Sequence, residues 1–493
     1  MCGIIGITGS EHAAKEVYLG LFTLQHRGQD AAGILSYDDG TTDAGAMGFH
    51  MWKDTGLVDS IFDEAILERL TGSMAIGHTR YSTVGSSSDK SVVQPFALNF
   101  PYGIGMCHNG NIVNVGPLLE KLRTERRRHF LSSSDLEVIQ NLFADKLAEV
   151  TSGDSLTMDQ LAEAVRSVFD QAVGGYSVVS SIAGQGLIGF RDPQGIRPLA
   201  LGKKTENGRT SYCLSSESIV FSILGYETVR DLKAGELVFI DAAGRVESRQ
   251  LVNQTTPTPC MFEWVYFAGA ESVLEGKPVY GARLNLGKGL AKLVKAAIDK
   301  GEIKPDIVVP VPETSRIAAI GIAEELGLPY REVLIKNRYI QRSFILSTQD
   351  KRTKAVDLKL NPVRTEIEGK NVLLVDDSIV RGTTSLRLIN LVRRAGAKEV
   401  YFASTCPPIR QPCYYGIDFP SPEELLATNR TEKEIAEKLN ADRVIYLDHD
   451  SLRAAIGLPS ICMACLDGRY PTDVSAGKRF TADRAKQRSQ ARV

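Results

Sequence analysis

The stretch NVLLVDDSIVRGTTS, residues 371–385, decides the fold of the second half of this chain and much of its chemistry. Residues 371–375 are apolar or neutral, the composition of a strand buried on both faces of a parallel sheet. The chain turns polar at Asp376 and Asp377, and a glycine and a hydroxyl cluster then open a helix. Consecutive side chains on a strand face opposite ways, so two adjacent carboxylates at its end can divide two tasks: contacting sugar hydroxyls and anchoring a magnesium ion. The following loop, Ser378 to Ser385, offers backbone N–H groups, the hydroxyls of Thr383, Thr384 and Ser385, and a helix N-terminus, all of which favour a phosphate. A plain strand-to-helix turn capped by Asp or Ser explains one such residue and not this density.

On either side the pattern repeats. ARLNLGKGLAKLVKAAIDKG (282–301) is helical, DIVVPVP (306–312) strand-like, SRIAAIGIAEELG (315–327) helical again, and TSLRLINLVRRAG (384–396) closes the series. Strands alternating with helices predict parallel βαβ units, with ligands at the carboxyl ends of the strands. The polar, proline-containing QLVNQTTPTPC (250–260) marks a boundary, and before it the texture differs. Short apolar runs rich in glycine, SMAIGHTRYST (73–83), YGIGMCHNGNIV (102–113) and YSVVSSIAGQGLIGF (176–190), read as strands joined by tight turns. DLEVIQNLFADKLAEV (135–150) and MDQLAEAVRSVFDQAV (158–173) carry apolar residues at intervals of three and four, as helices do. The basic run RTERRRH (123–129) reads as a solvated helix face, and the tail 475–493 is basic and apolar-poor.

With 493 residues the chain exceeds one hydrophobic core, and two domains are expected, 2–250 and 260–470, followed by the tail. Hydrophobic content of 43%, charged content of 24% and a formal net charge of -1 fit a globular protein and leave no electrostatic footprint for nucleic acid. The N-terminus lacks a basic n-region, its apolar run is broken by Gly3, Gly6 and Gly9, and no run of 18 apolar residues suggests a membrane span, so a cytoplasmic location is expected. Eight cysteines are too few for a disulfide scaffold, which leaves core filling, nucleophilic or metal-binding roles.

VLLVDDSIVRGTTS closely resembles the signature of type I phosphoribosyltransferases for phosphoribosyl diphosphate (PRPP), in the spelling of the amidophosphoribosyltransferases. VPVPETSR (309–316) is similar to that family's pyrophosphate loop, and KNRYIQRSF (336–344) to the loop that closes over PRPP. The resemblance implies PRPP contacts from Lys336, Arg338, Asp376, Asp377, Ser378, Arg381, Gly382, Thr383, Thr384 and Ser385. It also implies one Mg2+ per subunit, held by Thr314, Asp376 and Asp377.

The opening MCGIIGITGS poses a second question, because Cys2 alone would pass for a small buried hydrophobe. If Met1 is trimmed, however, Cys2 carries a free α-amine. Such an amine, with an ordinary pKa of about 8, can take the proton of a thiol whose pKa is about 8.5. CGIIGI (2–7), LQHRGQDAAGI (24–34), GHTRYSTVGSSS (77–88), HNGNIVN (108–114) and SSDLE (133–137) resemble the class II glutamine amidotransferases, N-terminal nucleophile (Ntn) hydrolases of four-layer αββα fold. The implied fold is thus α+β in the first half and α/β in the second. The implied roles are Cys2 as nucleophile, Arg80 on the glutamine α-carboxylate, Asp135 on its α-ammonium, and Arg27 and Gly28 as support from the neighbouring turn. Asn109 and Gly110 supply the oxyanion hole, each donor worth about 3 kcal/mol. Leu136 and Ser82 stand where relatives often carry a hydroxyl residue and a proline, and neither change touches a proposed chemical group. No propeptide precedes the nucleophile, so methionine removal is expected to suffice for maturation.

CMFE (260–263), PCYYGID (412–418) and CMACLDGRYPT (462–472) match the contexts in which some amidophosphoribosyltransferases hold a [4Fe-4S] cluster, implying Cys260, Cys413, Cys462 and Cys465 as ligands; structural zinc through the same thiolates is the alternative. Cys107 and Cys213 read as core residues. The resemblance further implies glutamine and PRPP as substrates, purine nucleotide feedback inhibition and a homotetramer. A sugar-phosphate amidotransferase would lack DDSIVRGTTS, a non-enzymatic phosphoribosyl-binding regulator would not need Cys2, Arg80 and Asp135 together, and a metal-dependent redox sensor would explain the thiols alone.

Overall fold

A computed structural model describes residues 1–40, 48–81, 89–151, 153–253, 256–336, 360–419 and 421–478. In the first half, two antiparallel sheets lie face to face. A seven-stranded sheet runs in the order Glu227–Asp231, Ala200–Glu206, Arg209–Ser215, Gly3–Thr8, Met74–Arg80, Ala31–Asp38, Gly48–Thr55. A six-stranded sheet runs Val246–Gln250, Glu236–Asp241, Gly186–Arg191, Gly174–Ile182, Ile104–Ile112, Phe96–Leu98. Three separate cores define the layers. Ile4, Leu35, Ile76, Val179, Leu187 and Leu214 fill the space between the sheets. The helix Ala13–Thr23 covers the outer face of the first sheet through Val17 and Leu21. The helices Asp135–Val150 and Met158–Gln171 cover the second through Ile139, Phe143, Val165 and Val168. This is the αββα sandwich that the sequence implied, and the helix predicted over 135–150 occupies those residues.

Past the boundary, four parallel strands in the order Ile307–Pro310, Asn371–Asp376, Glu399–Ser404, Arg443–Tyr446 form the second sheet system. Their alternation is clean: Val372, Leu374, Val400 and Phe402 face one core, and Leu373, Val375, Tyr401 and Ala403 the other. The helices Val279–Asp299, Arg316–Leu326 and Thr383–Arg394 flank this sheet, which is therefore buried on both faces, as parallel sheets generally are. Cys107 and Cys213 are core residues, as expected. The basic run departs from a simple helix face: the helix ends at Arg126, Arg127 adopts a left-handed conformation, and Arg126 and Arg128 pair with Glu149 and Asp145. Among the described residues, no helix is long and apolar enough to cross a membrane.

Candidate active site

Cys2 precedes the central strand Gly3–Thr8, and its Sγ lies 3.9 Å from the Tyr81 carbonyl at the end of the neighbouring strand Met74–Arg80. Arg27, fully buried, donates from Nε to the Cys2 carbonyl at 2.9 Å. The turn bearing Arg27 can approach only because the next residue is glycine: a Cβ on Gly28 would stand 2.5 Å from the backbone carbon of Arg80. Arg80, at the end of its strand, is 5% exposed. Sequence spacing thus becomes spatial convergence, since residues 2, 27, 28 and 80 meet where three strand ends come together.

The facing sheet supplies the remaining groups on Ile104–Ile112. Both polar atoms of the Asn109 side chain are buried and have no hydrogen-bond partner among the described residues. An amide left so in a folded core is costly unless something else satisfies it. Gly110 follows with φ +151, and a Cβ there would stand 2.1 Å from the Gly175 carbonyl oxygen, so glycine alone lets the two strands pair at this point. Asp135, the first residue of its helix, accepts from the Ile112 N–H at 3.0 Å and lies 3.2 Å from His108 Nε2. Burial raises its pKa, but His108 and the backbone donors outweigh burial and hold it below the usual carboxylate range. Gln94 in turn bonds both the backbone N–H and Nδ1 of His108. The sequence reading assigned no part to His108, which here supports the carboxylate.

Sequence reasoning also missed a buried ionic group behind Cys2. Arg27 bonds both oxygens of Glu263 at 2.9 Å and one oxygen of Glu217 at 2.5 Å. Arg197 lies 3.8 Å from Glu263 and donates to the Tyr415 carbonyl. These residues are far apart in sequence with no periodicity to announce them; the only signal was the glutamate of CMFE.

At the second candidate site, the strand Asn371–Asp376 ends as anticipated in the acidic pair. Ser315 Oγ donates to Asp376 at 3.2 Å and Ser378 Oγ to Asp377 at 2.7 Å. The VPETS turn therefore reaches the acids through Ser315, which places Thr314, expected at the metal and pyrophosphate, on the same turn. Burial and the adjacent charge push Asp376 well above its ordinary value; burial pushes Asp377 to about 6, against the bond from Ser378 and the charge of Arg283. Gly382 precedes the helix Thr383–Arg394, whose first turn carries Thr384 and a buried Ser385. Arg381 pairs with Glu424 at the surface, 3.2 Å apart. Lys336 ends the short strand Leu334–Lys336 and is exposed. Arg338 and most of the loop 336–344 lie outside the described residues, as does Ser82.

The four motif cysteines come from three segments. Cys260 and Cys462 form a parallel bridge, and the Tyr415 N–H points to Cys413 Sγ at 3.3 Å. Burial raises the Cys260 thiol to about 11, with the Cys413 thiol adding to it; burial likewise raises Cys465, with Cys413, Cys406, Cys260 and Cys462 adding. The thiols are thus electrostatic neighbours, although among the described residues no three His, Cys, Asp or Glu side chains close into a ready metal-binding group.

Two family models match, a glutamine amidotransferase domain over residues 78–221 and a phosphoribosyl transferase domain over 280–417. Fold and site together define a glutamine amidotransferase joined to a phosphoribosyltransferase. The chain is 43% identical over 503 residues to an amidophosphoribosyltransferase of Pseudomonas aeruginosa, covering 100% of this chain and 98% of the relative. It is 44% identical over 457 residues to one of Escherichia coli, covering 92% and 88%. A solved glutamine PRPP amidotransferase of B. subtilis, complexed with ADP and GMP, matches with a TM-score of 0.83 at 35% identity, covering 96% of this chain and 98% of that one. The chain belongs to the amidophosphoribosyltransferases, which use glutamine to aminate PRPP in purine biosynthesis.

Proposed function

We propose that residues 2–250 hydrolyse glutamine at Cys2 and that residues 260–470 use the ammonia to displace pyrophosphate from C1 of PRPP, giving 5-phosphoribosylamine. Removal of Met1 frees the Cys2 amine, which takes the thiol proton. The thiolate attacks the glutamine δ-carbonyl; Asn109 Nδ2 and the Gly110 N–H receive the oxyanion; the amine returns its proton to the departing ammonia; water then hydrolyses the thioester to glutamate. Arg80 takes the α-carboxylate as a fork, and Asp135, steadied by His108, takes the α-ammonium.

The observation that carries this reading is the buried Asn109 amide, without a partner among the described residues, beside a glycine that tolerates no Cβ. The test is Cys2→Ser: glutamine use is lost while free ammonia still supports PRPP turnover, and equal loss of both would overturn the division of labour.

At the second site, Asp376 and Asp377 contact the ribose hydroxyls and hold Mg2+, with Thr314 beside them. Ser378 to Ser385 take the 5-phosphate, while Lys336 and Arg338 supply positive charge to the diphosphate. Two adjacent buried carboxylates with hydroxyl neighbours are a donor set suited to a hard divalent cation. Mg2+, when bound, neutralises the diphosphate as it leaves.

Cys260, Cys413, Cys462 and Cys465 suit a [4Fe-4S] cluster, a structural staple between the domain boundary and the C-terminal region; their mutual electrostatic contact supports this. Anaerobic analysis finding four iron and four sulfide per chain is expected (about one cluster), and a colourless protein containing zinc would refute it. Purine nucleotide inhibition, a homotetramer and a cytoplasmic location complete the reading, the first supported by the ADP and GMP bound to the B. subtilis relative.

A further inference from the structure

Behind the nucleophile stands a buried group of charges that no step above uses. Glu263 is 1% exposed and opens the π-helical turn Glu263–Phe267, closed by the Ala268 N–H on the Glu263 carbonyl at 3.0 Å. The turn belongs to the segment that leads into the phosphoribosyltransferase half, yet its first carboxylate reaches Arg27 in the glutaminase half. Arg27 spends its remaining donors on Glu217 and on the Cys2 carbonyl, so its position is fixed from three directions. Glu217 is held by the same segment, accepting from the Gly269 N–H at 2.8 Å and from Ser272 Oγ at 2.7 Å.

The other end of the turn is fastened by Arg283, on the helix Val279–Asp299. Its Nε donates to the Trp264 carbonyl at 2.9 Å, and its Nη2 to the carbonyls of Tyr266 and Ala268 at 2.9 and 2.7 Å. Arg283 is also an electrostatic neighbour of Asp377 in the acidic pair. A continuous set of polar contacts thus runs from the Cys2 carbonyl through Arg27, Glu263 and the turn to a guanidinium in the field of the second site.

We propose that Glu263 is a positioning residue for glutamine hydrolysis, fixing Arg27 and through it the Cys2 backbone, with Arg283 holding the turn that carries Glu263. A thiolate must sit within a fraction of an ångström of its line of attack, and displacement of about 1 Å costs roughly a hundredfold in rate. Neither residue touches glutamine in this arrangement, so the effect falls on kcat rather than on glutamine KM, which Arg80 and Asp135 set. The inference rests on Cys2 being the nucleophile.

The test compares Glu263→Gln and Arg283→Lys with the parent, at saturating PRPP and Mg2+. In Glu263→Gln, Arg27 keeps Glu217 as its counter-charge and Arg197 keeps its bond to the Tyr415 carbonyl, and circular dichroism with ammonia-dependent turnover checks that the variant is folded. Arg283→Lys keeps a charge facing Asp377 but loses the fork that grips three carbonyls. Expected for both is a glutamine-dependent kcat lower by about a hundredfold, with glutamine KM, ammonia-dependent turnover and iron content as in the parent. Alkylation of Cys2 by iodoacetamide should slow in both. A glutamine-dependent kcat within about threefold of the parent in Glu263→Gln overturns the assignment; so does an equal loss of the ammonia-dependent reaction or of iron, which marks general damage. Retention of glutamine use by Cys2→Ala would instead sink the nucleophile assignment, and the two failures are thereby distinguished.

Discussion

At the glutamine site, charge is balanced before any substrate arrives: Arg27 lies between Glu217 and Glu263, and Asp135 is met by His108 and a backbone N–H. At the strand end of the second half the reverse holds, for Asp376 and Asp377 stand side by side with hydroxyls and their own backbone as nearest hydrogen-bond partners. The first arrangement is preorganised around Cys2, the proposed nucleophile, whose carbonyl Arg27 already holds. The second leaves two adjacent buried carboxylates with only the charge of Arg283 acting on Asp377, and the proposed ligand brings a further compensating cation. Preorganisation suits a reaction in which the protein supplies the reacting atom, whereas an unbalanced site suits one in which both reactants are brought to it.

The sharpest way to break this comparison is Cys2→Ala, expected to lower glutamine-dependent turnover by about 10^4-fold or more while ammonia-dependent turnover persists. Next in size is the double substitution of Asp376 and Asp377 by Asn: PRPP amination should fall by roughly 10^2 to 10^3-fold, with basal glutamine hydrolysis spared. Unchanged PRPP turnover would show that the acids are bystanders, and removal of Mg2+ by chelation should mimic the double variant in the parent alone. Asn109→Ala should cost about 10^2-fold in glutamine kcat with little change in KM, and a KM effect alone would remove the oxyanion role.

The smallest effect concerns acid stability. Burial raises Glu217, yet Arg27 and His26 overcome it and hold its pKa well below the ordinary 4.5. A depressed carboxylate contributes stability that is fully present above the unfolded pKa and is lost as pH falls below it. Glu217→Gln should therefore flatten the loss of stability below pH 4.5, by on the order of 2 kcal/mol, in acid unfolding followed by circular dichroism. Identical acid profiles would show that the pair adds nothing there.

Local pattern made much of this legible. The continuous apolar or neutral run 371–375, the helical spacing of 135–150 and the strand-like run around Asn109 and Gly110 each encode structure within about fifteen residues, and the structure follows them. Arg27 was legible as support for Cys2, but its partners were not. Glu217 and Glu263 stand 190 and 236 residues from it, and a charged residue in a chain carries no mark that it will be fully buried. Ser315, whose Oγ donates to Asp376, was not legible because a motif fixes a loop and leaves the exact pointing of neighbouring hydroxyls to tertiary packing.

Met1 is 1% exposed and shares a buried cluster with Cys260, Phe262, Trp264 and Cys462. An aminopeptidase can grip that residue only while the later segments are missing, which is to say while the ribosome is still making them. Under the proposed mechanism, excision therefore has to precede closure of that cluster, whose other members at 260–264 and 462 are made after the N-terminus. A chain whose initiator escaped trimming would keep the Cys2 nitrogen in a peptide bond, with no free amine to take the thiol proton.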